Sequence, residues 1–330
     1  MQQQSRTVGS QVNQESGPKL TIIIVSWRVR EMLRDCLLSI AEKGGTPASS
    51  IQIIVVDNAS GDGTAEMLQG EFPGVQCIAS SINLGFGGAN TLAWQYVAAP
   101  LVLLLNPDTL VHEGALSTMV SLMHQQNAVW ALGCRLLNGD GSVQRWTGGR
   151  FPTLSNVACH YLGLDRVLRL FGVNHSIYLT QDFGEDRLVD WVSGACLMLR
   201  RERSPEPLFD PIFFMYGEDM DLCWRIRRNG GQILYSPATS ITHFQGASMR
   251  QQTGAVLLTS LKGIRTFYAS RSGPIRTWMF DALTVTGFAL RWSIYMCASF
   301  LRPKDDWQTK AESSKHHMRI ALALMRSGPG

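Results

Sequence analysis

The chain has 330 residues, of which 45% are hydrophobic and 17% charged, and its formal net charge is +4. This composition excludes a disordered protein and suffices for one large α/β domain with an appendage, or for two smaller domains. The seven cysteines are odd in number and include no Cys-x-x-Cys pair, which argues against a disulfide framework and against a zinc site. We therefore expect a reducing, cytoplasmic compartment.

The two ends of the chain differ in charge and polarity. Residues 1–18 are polar without an apolar core, so they predict a flexible tail and no signal peptide. Residues 240–330 contain 12 Lys/Arg against 4 Asp/Glu, and such a basic segment favours nucleic acid or an anionic membrane surface. The apolar stretch 278–301 favours the membrane and not nucleic acid. Because Asp281 and Arg291 interrupt it, we expect an interfacial amphipathic helix; a docked soluble cap is the alternative.

Strand-length apolar runs alternate with amphipathic helical segments through the first half of the chain. Strands are predicted at 20–25, 51–56, 75–79 and 101–105, and helices at 30–42, 64–70, 88–98 and 113–125. This alternation predicts an α/β fold with a mostly parallel central sheet and helices on both faces.

Beyond about Gly133 the alternation breaks, and we expect a mixed sheet. The predicted elements there are a strand-prone stretch at 189–200, a helix at 219–229, short strands at Ile233 and Ile241, and helices over 253–325. The chain is thus divided into a tail at 1–18, one domain at 19–248 and a basic helical extension at 249–330.

Asp108 stands at the tip of a predicted buried strand. The run 101–105 leads directly into Asn106, Pro107 and Asp108, and ligands of open α/β sheets bind beyond the carboxyl ends of the strands. A carboxylate facing a nucleotide diphosphate there requires a divalent cation between them, Mg2+ or Mn2+. Asn-Pro-Asp is also good turn chemistry, so a purely structural turn is the alternative.

Two further polar segments follow predicted strands. Asp57 and Asn58 end the second strand, where they could bond a base or ribose edge; an acidic turn before the helix at Thr64 is the alternative. The Gly-rich stretch 83–90 could cradle phosphate through backbone N–H groups. Its glycines do not form G-x-G-x-x-G and they follow the third strand, which disfavours a dehydrogenase.

Three acids, Glu218, Asp219 and Asp221, crowd the start of a predicted helix. They suit the helix macrodipole, which is a structural explanation. The aromatic residues at 213–216 would also desolvate them and raise a carboxylate pKa, making Asp219 the candidate general base. His243 could supply a second metal ligand, although a lone histidine is commonly structural.

Taken in order, these segments resemble the family 2 glycosyltransferases of the GT-A fold, and most closely the rhamnosyltransferase-like branch of bacterial cell-surface polysaccharide synthesis. The resemblance covers about residues 20–248. It is carried by the segments 22–27, 55–60, 83–86, 104–109, 190–195 and 213–223.

The resemblance implies a role for each matching position. Asp57 is expected at the nucleobase, Asp108 as the surviving acid of the Asp-x-Asp metal motif, and Asp219 as the base, with Glu218 beside it. His243 matches a late histidine beside the diphosphate, as a metal ligand. The expected donor contacts are Ser26, Trp27, Asp57, Asn83, Gly85, Asn106 and Asp108, and the expected acceptor contacts are Trp191 and Gly194.

The expected reaction is an inverting transfer of one sugar from a nucleotide diphosphate donor, with dTDP-rhamnose favoured. The acceptor is expected to be a polyprenyl-linked or other surface glycan at the inner face of the cell membrane. Two features depart from the family pattern: Arg28 replaces the usual Asn, and no Gly-Gly precedes Phe209. A missing Gln-x-x-Arg-Trp motif argues against a processive synthase. The alternatives are a nucleotidyltransferase, disfavoured because residues 26–30 lack glycine, and a non-catalytic glycan- or membrane-binding scaffold.

Overall fold

The structure is a computed structural model that describes residues 17–145, 147–173, 175–179, 184–244, 253–301 and 306–327. The side chains of Arg169 and of residues 253–257 are not described. Most of the predicted N-terminal tail and the predicted domain boundary at 248 lie outside the described residues.

The first half of the chain forms alternating strands and helices. These are β1 (Leu20–Ser26), α1 (Arg30–Lys43), β2 (Ile51–Asn58), α2 (Thr64–Glu71), β3 (Gln76–Ser80), α3 (Gly85–Trp94) and β4 (Leu101–Leu105). β1 lies between β2 and β4, β2 also pairs with β3, and all three pairings are parallel. The predicted parallel half of the sheet is confirmed. Helix α3 begins three residues earlier than predicted, at Gly85.

The middle of the chain completes the sheet. Its elements are β5 (Thr109–Val111), α4 (Ala115–Gln125), β6 (Val129–Leu137), β7 (Gly148–Gly149), α5 (Leu154–Tyr161), α6 (Leu164–Leu170), β8 (Arg187–Val189), β9 (Trp191–Val192), β10 (Cys196–Arg200), α7 (Glu218–Arg228) and β11 (Gln232–His243). Nine of the eleven described strands form a sheet of order β3-β2-β1-β4-β10-β6-β11-β5, with β8 paired to β11, and β7 pairs with β9 in a separate two-stranded sheet. β10 is antiparallel to β4 and β6, while β11 is parallel to β6 and antiparallel to β5 and β8. The sheet is mixed in this half, as predicted.

Two details of this half differ from the prediction. The stretch 189–200 is divided among β8, β9 and β10. The two short strands expected around Ile233 and Ile241 are one long strand, β11, whose pairing with β6 is irregular between Ser236 and Ser240.

The core lies on both faces of the sheet. In β4, Leu103 packs into a cluster on one face and Leu104 into a second cluster on the other. All five residues of β4 are buried because helices cover both faces. This buried centre fixes the strand ends that carry the polar residues of the site.

The C-terminal helices are α8 (Thr253–Ala269), α9 (Pro274–Leu301) and α10 (Trp307–Arg326). Asp281 and Arg265 are both buried and form a two-pronged ion pair, with Arg265 Nε 2.8 Å from Oδ1 and Nη2 2.9 Å from Oδ2. Asp281 is therefore an internal partner of α8. None of the described helices is both long and apolar enough to span a membrane.

Candidate active site

A cavity of about 300 Å³ opens beyond the carboxyl ends of β1, β2 and β4. Asp108 and Asp219 line this same cavity although 111 positions separate them in sequence. Ten of the twelve predicted site residues line it: Trp27, Asn83, Gly85, Asn106, Asp108, Trp191, Gly194, Glu218, Asp219 and His243. The fold therefore gathers residues from six separate segments at one place.

Asp108 and His243 form a buried pair at one part of the cavity. Asp108 Oδ1 lies 3.3 Å from His243 Nε2, and the Asn106 amide nitrogen lies 3.2 Å from the same imidazole nitrogen. The side chains are held by the sheet, since His243 ends β11 opposite Thr109 of β5, and Phe244 N–H donates to the Asp108 carbonyl. Asp108 is 5% exposed and His243 8%.

This pair fits a divalent cation. Across the described ranges, no cluster of three or more His, Cys, Asp or Glu side chains could hold a metal. A carboxylate oxygen and an imidazole nitrogen suit Mg2+ or Mn2+, which commonly bind through one or two protein ligands together with substrate phosphates and water. Asp108 and His243 are therefore the residues that could hold such an ion.

Glu218 and Asp219 begin α7 directly after Gly217, whose φ of 87° glycine adopts without strain. Asp219 Oδ2 accepts a hydrogen bond from Gly194 N–H at 3.2 Å and Oδ1 accepts one from Met220 N–H at 2.8 Å. Burial raises the pKa of Asp219, while these hydrogen bonds act in the opposite direction. The carboxylate is thus ionisable, oriented and more basic than a surface aspartate.

Glu218 is only 5% exposed, and its Oε2 has no hydrogen-bond partner among the described residues. Burial, and then the charge of Asp219, raise the pKa of Glu218 to about 8. The raised pKa favours the protonated form of Glu218 near neutral pH. The predicted upward direction of the carboxyl pKa values is confirmed and burial is its cause, although of the aromatic residues at 213–216 Phe213 is buried and Phe214 is 55% exposed.

Tyr216 interacts electrostatically both with Asp108 and with the Glu218–Asp219 pair. Its pKa is raised by burial first and then by the charges of Glu218, Asp108 and Asp219. All three acids therefore lie within interaction distance of one phenol group.

The third acid of the motif, Asp221, points elsewhere. It is buried, pairs with Arg225 at 2.8 Å, and also contacts the Arg271 guanidinium. Arg271 lies between two rings, with its Cζ 4.3 Å from the Trp224 centroid and 4.1 Å from the Phe267 centroid. Asp221 thus joins α7 to the end of α8 and is structural.

The Gly-rich turn is occupied by protein hydrogen bonds. Leu84 N–H donates to Asn58 Oδ1 at 2.8 Å, Gly85 N–H to Asn83 Oδ1 at 2.8 Å, and Phe86 N–H to the Phe214 carbonyl at 3.1 Å. Each of these three N–H groups already has an acceptor within the protein. The prediction that the backbone of this turn binds phosphate is therefore wrong for these three N–H groups. Asn83 and Gly85 line the cavity while shaping the turn.

Two predicted donor contacts do not line the cavity. Ser26 is fully buried, and its hydroxyl has no partner among the described residues, so its side chain has no access to a ligand there. Asp57 is half-buried next to Ser26 in the β1–β2 register and accepts a hydrogen bond from Ser60 N–H at 3.0 Å. The residues that follow them, Trp27 and Asn58, do line the cavity.

The predicted acceptor residues form another wall. Trp191 is nearly buried, donates from Nε1 to the Arg150 carbonyl at 3.2 Å, and meets Tyr178 edge-on at 6.1 Å. Gly194 is packed tightly, since a Cβ there would lie 3.0 Å from the Phe86 ring. The missing side chain of Gly194 makes room for the Phe86 ring, and its contact with the acceptor stays a prediction.

Several lining residues were not predicted from the sequence. They are Phe86, Gln144, Tyr178, Tyr216, and Ser260 and Ile264 of α8, whereas Asn58, which also lines the cavity, was expected to bond a base or ribose edge. Asn58 and Phe86 lie within motifs that were recognised, whereas nothing local marks the α8 residues. A Cβ on Gly263 of α8 would lie 2.1 Å from the Tyr216 carbonyl oxygen, so α8 packs backbone to backbone against the cavity wall.

Backbone strain also collects at this cavity. Arg28, Ala59 and Tyr216 are non-glycine residues with φ values of 57°, 62° and 66°. The first two directly follow lining segments, and Tyr216 is itself a lining residue. Such strain persists where surrounding structure fixes the backbone, and it clusters at ligand sites.

The fold and the cavity define a glycosyltransferase of the GT-A fold. The mannosyltransferase PcManGT from Pyrobaculum calidifontis, solved in complex with GDP-Man and Mn2+, has a similar fold, with a TM-score of 0.58 and 15% sequence identity. The similarity covers 93% of this chain and 86% of that one. Residues 21–203 match the model of glycosyl transferase family 2, and the chain belongs to that family.

Sequence relatives agree with this assignment. The N-acetylglucosaminyl-diphospho-decaprenol L-rhamnosyltransferase of Mycobacterium tuberculosis is 27% identical over 270 residues, covering 76% of this chain and 84% of the relative. Rhamnosyltransferase WbbL of Escherichia coli K12 is 26% identical over 231 residues, covering 68% and 82%. The predicted family resemblance is confirmed, and the chain is a glycosyltransferase and not a nucleotidyltransferase.

Proposed function

We propose that this chain is an inverting, metal-dependent transferase that moves one sugar from a nucleotide diphosphate donor to a lipid-linked or surface-polysaccharide acceptor. The observation that carries the proposal is the single cavity lined both by the Asp108–His243 pair and by Glu218 and Asp219. A sugar transfer needs positive charge at the leaving group and a base at the acceptor hydroxyl. The two pairs of side chains suit these two needs.

Asp108 and His243 are the proposed cation ligands. A bound Mg2+ or Mn2+ supplies positive charge that neutralises the departing nucleoside diphosphate. The fit of the pair supports this assignment, as does the Mn2+ in the structure of the similar mannosyltransferase.

Asp219 is the proposed general base. Its carboxylate takes the proton of the acceptor hydroxyl as that oxygen attacks the anomeric carbon on the face opposite the leaving group, so the configuration inverts without a covalent enzyme intermediate. Gly194 and Met220 hold the carboxylate in place through their N–H groups. Burial and the charge of Asp219 raise the pKa of Glu218 to about 8, which favours its protonated form near neutral pH, so Asp219 and not Glu218 is the proposed proton acceptor.

The proposed donor is dTDP-rhamnose. Support comes from the names of the two rhamnosyltransferase relatives and from no single contact in the cavity. Asp57 remains the proposed contact to the nucleobase, and Trp27 and Val25 both line the cavity. Trp191 and Gly194 remain the proposed acceptor contacts.

We also propose that the extension binds the inner face of the cell membrane through one side of α9. From 278 to 301, the exposed side chains of α9 include no Lys, Arg, Asp or Glu. The exposed large apolar residues of the helix are Ile275, Trp278, Met279, Leu290, Ile294, Phe300 and Leu301. Together they form a stripe along a helix of 28 residues, as expected of a surface-lying helix.

The transfer reaction is tested with purified full-length protein, freed of metals by a chelator and then supplied with Mg2+ or Mn2+. We expect nucleoside diphosphate release from dTDP-rhamnose with a polyprenyl-linked acceptor only after the metal is restored, and NMR of the product should show an inverted anomeric centre. Asp108→Asn should raise the metal concentration needed, whereas Asp35→Asn, on the exposed face of α1, should not. Release from no dTDP-, UDP- or GDP-sugar would refute the proposal.

The membrane surface is tested by vesicle flotation with anionic lipids. Ile294→Glu introduces a charge in the α9 stripe, and Ile212→Glu is its matched control, since the two side chains are 53% and 54% exposed. We expect only Ile294→Glu to reduce binding. Equal binding by both variants and the parent would contradict the role of α9.

A further inference from the structure

A row of side-chain hydrogen bonds runs from the turn after β6 to the candidate metal ligand His243. Ser142 Oγ donates to Asp140 at 2.6 Å, Asn138 Nδ2 to Ser142 Oγ at 2.9 Å, and Gln144 Nε2 to Asn138 Oδ1 at 3.1 Å. Gln144 Oε1 then lies 2.8 Å from His243 Nδ1. The row starts at the surface and ends on a buried imidazole.

The chemistry of its first member fixes the direction of every bond in this row. Asp140 accepts, because a carboxylate has no hydrogen to donate and the same oxygen already accepts from Ser142 N–H at 2.9 Å. The Ser142 hydroxyl therefore donates its hydrogen to Asp140 and accepts a hydrogen bond from Asn138 Nδ2. The other atom of that amide, Asn138 Oδ1, then accepts from Gln144 Nε2. The Gln144 amide nitrogen also donates to the His243 carbonyl at 3.2 Å, which can only accept. Gln144 Nε2 thus faces two acceptors, Asn138 Oδ1 and the His243 carbonyl oxygen. The other amide atom of Gln144, Oε1, is therefore the one that faces the imidazole.

An oxygen facing Nδ1 requires a hydrogen on that nitrogen. Neutral His243 then carries its proton on Nδ1, and the lone pair of Nε2 faces the Asn106 amide nitrogen, 3.2 Å away, and Asp108 Oδ1, 3.3 Å away. Metal-binding histidines commonly donate their other ring N–H to such an oxygen, which sets the tautomer. The lone pair and the carboxylate oxygen face each other, an arrangement that a cation between them would stabilise.

We propose that Gln144 is a positioning residue that fixes the Nδ1–H tautomer of His243 and so reserves Nε2 for the cation. Asn138, Ser142 and Asp140 orient Gln144 in turn. The inference rests on the proposed metal-dependent function and deepens it. Gln144 is 5% exposed, so its loss would leave a buried N–H without an acceptor. The imidazole would then place its proton on Nε2, toward Asp108, where it blocks the coordinating nitrogen.

The test is ¹⁵N NMR of the histidine side chains, at a pH where the imidazole is neutral, combined with Mn2+ binding followed by EPR in the presence of dTDP. In the parent protein we expect the hydrogen of His243 on Nδ1. In Gln144→Leu we expect it on Nε2, and Mn2+ affinity should fall about 10- to 100-fold. Gln144→Glu keeps an acceptor for Nδ1 and should restore both readouts. Gln232 is an exposed residue at the start of β11, the strand that ends in His243, and Gln232→Leu should change neither the tautomer nor the Mn2+ affinity.

A parent spectrum with the hydrogen on Nε2 overturns the inference without any variant. It is equally overturned if Gln144→Leu keeps the Nδ1–H tautomer, or if the tautomer changes while Mn2+ binding does not. A parent protein with the Nδ1–H tautomer and no Mn2+ affinity would instead refute the proposed metal dependence, so the two failures are distinguishable.

Discussion

Gly194 donates its main-chain N–H to Oδ2 of Asp219 over 3.2 Å. This bond joins the turn between β9 and β10 to the first turn of α7. Because β10 is held between β4 and β6, the carboxylate is fixed relative to the strand that leads to Asp108. The centre of the sheet therefore sets the relation between the proposed base and the proposed cation ligand.

Gly194→Ala should reduce transfer while leaving the fold intact. The added methyl group would lie 3.0 Å from the Phe86 ring, so either this ring or the Gly194 turn that holds the Asp219 carboxylate must shift, whereas its distance of 3.7 Å to Asp219 Cβ is an ordinary contact. Small displacements of reacting groups are costly, and we expect a fall of about tenfold or more in kcat. Gly70→Ala is the control, since a Cβ there meets nothing within 4 Å. Equal kcat in the two variants would contradict the tight packing of this wall.

The stability of the folded protein should depend on pH through Glu218. Between its ordinary pKa of 4.5 and the folded value of about 8, the folded protein holds a proton that the unfolded chain has released. The free energy of unfolding therefore falls as pH rises through this window. Chemical denaturation at several pH values should show this slope flattened in Glu218→Gln and unchanged in Glu113→Gln, an exposed position. An identical slope in parent and Glu218→Gln would rule out the shift.

Arg271→Leu should destabilise the protein by about 2 kcal/mol, because it removes one of two partners of a buried carboxylate. Asp221 keeps Arg225, so the loss is smaller than for an unpaired charge. Arg228→Leu is a matched control: Arg228 stacks on the same Trp224 ring at 4.8 Å and is not among the arginines that pair with Asp221. The measurement is the free energy of unfolding in urea. Equal losses would assign the effect to ring stacking alone.

The sequence predicts the parallel half of the fold well because its central strands, β1 and β4, are continuous apolar runs buried on both faces. It fails for β11, where the polar residues between Ile233 and Ile241 indicate a break. The strand is one element because its backbone pairs with β6 on both sides of the irregular stretch 237–239, and such pairing leaves no side-chain pattern.

The residues of the candidate site also fall into those that the sequence predicts and those that it does not. Asp108 and Asp219 were recognisable because each follows a strand or begins a helix that the sequence marks clearly. Gln144 was not recognisable, since its contact with His243 spans 99 positions and a lone glutamine has no chemical signature. The α8 residues Ser260 and Ile264 were missed for the same reason, and α8 had been assigned to the extension beyond the domain.

The most direct test of the central claim compares Asp219→Asn with the parent in transfer and in donor binding. With metal, dTDP-rhamnose and a polyprenyl-linked acceptor, we predict a loss of turnover of about 10² to 10⁴-fold, the usual contribution of a general base. Calorimetric affinity for dTDP should stay within about twofold, because in this account Asp219 acts on the acceptor. Asp35→Asn should match the parent in both. Turnover by Asp219→Asn at the parental rate would contradict the account.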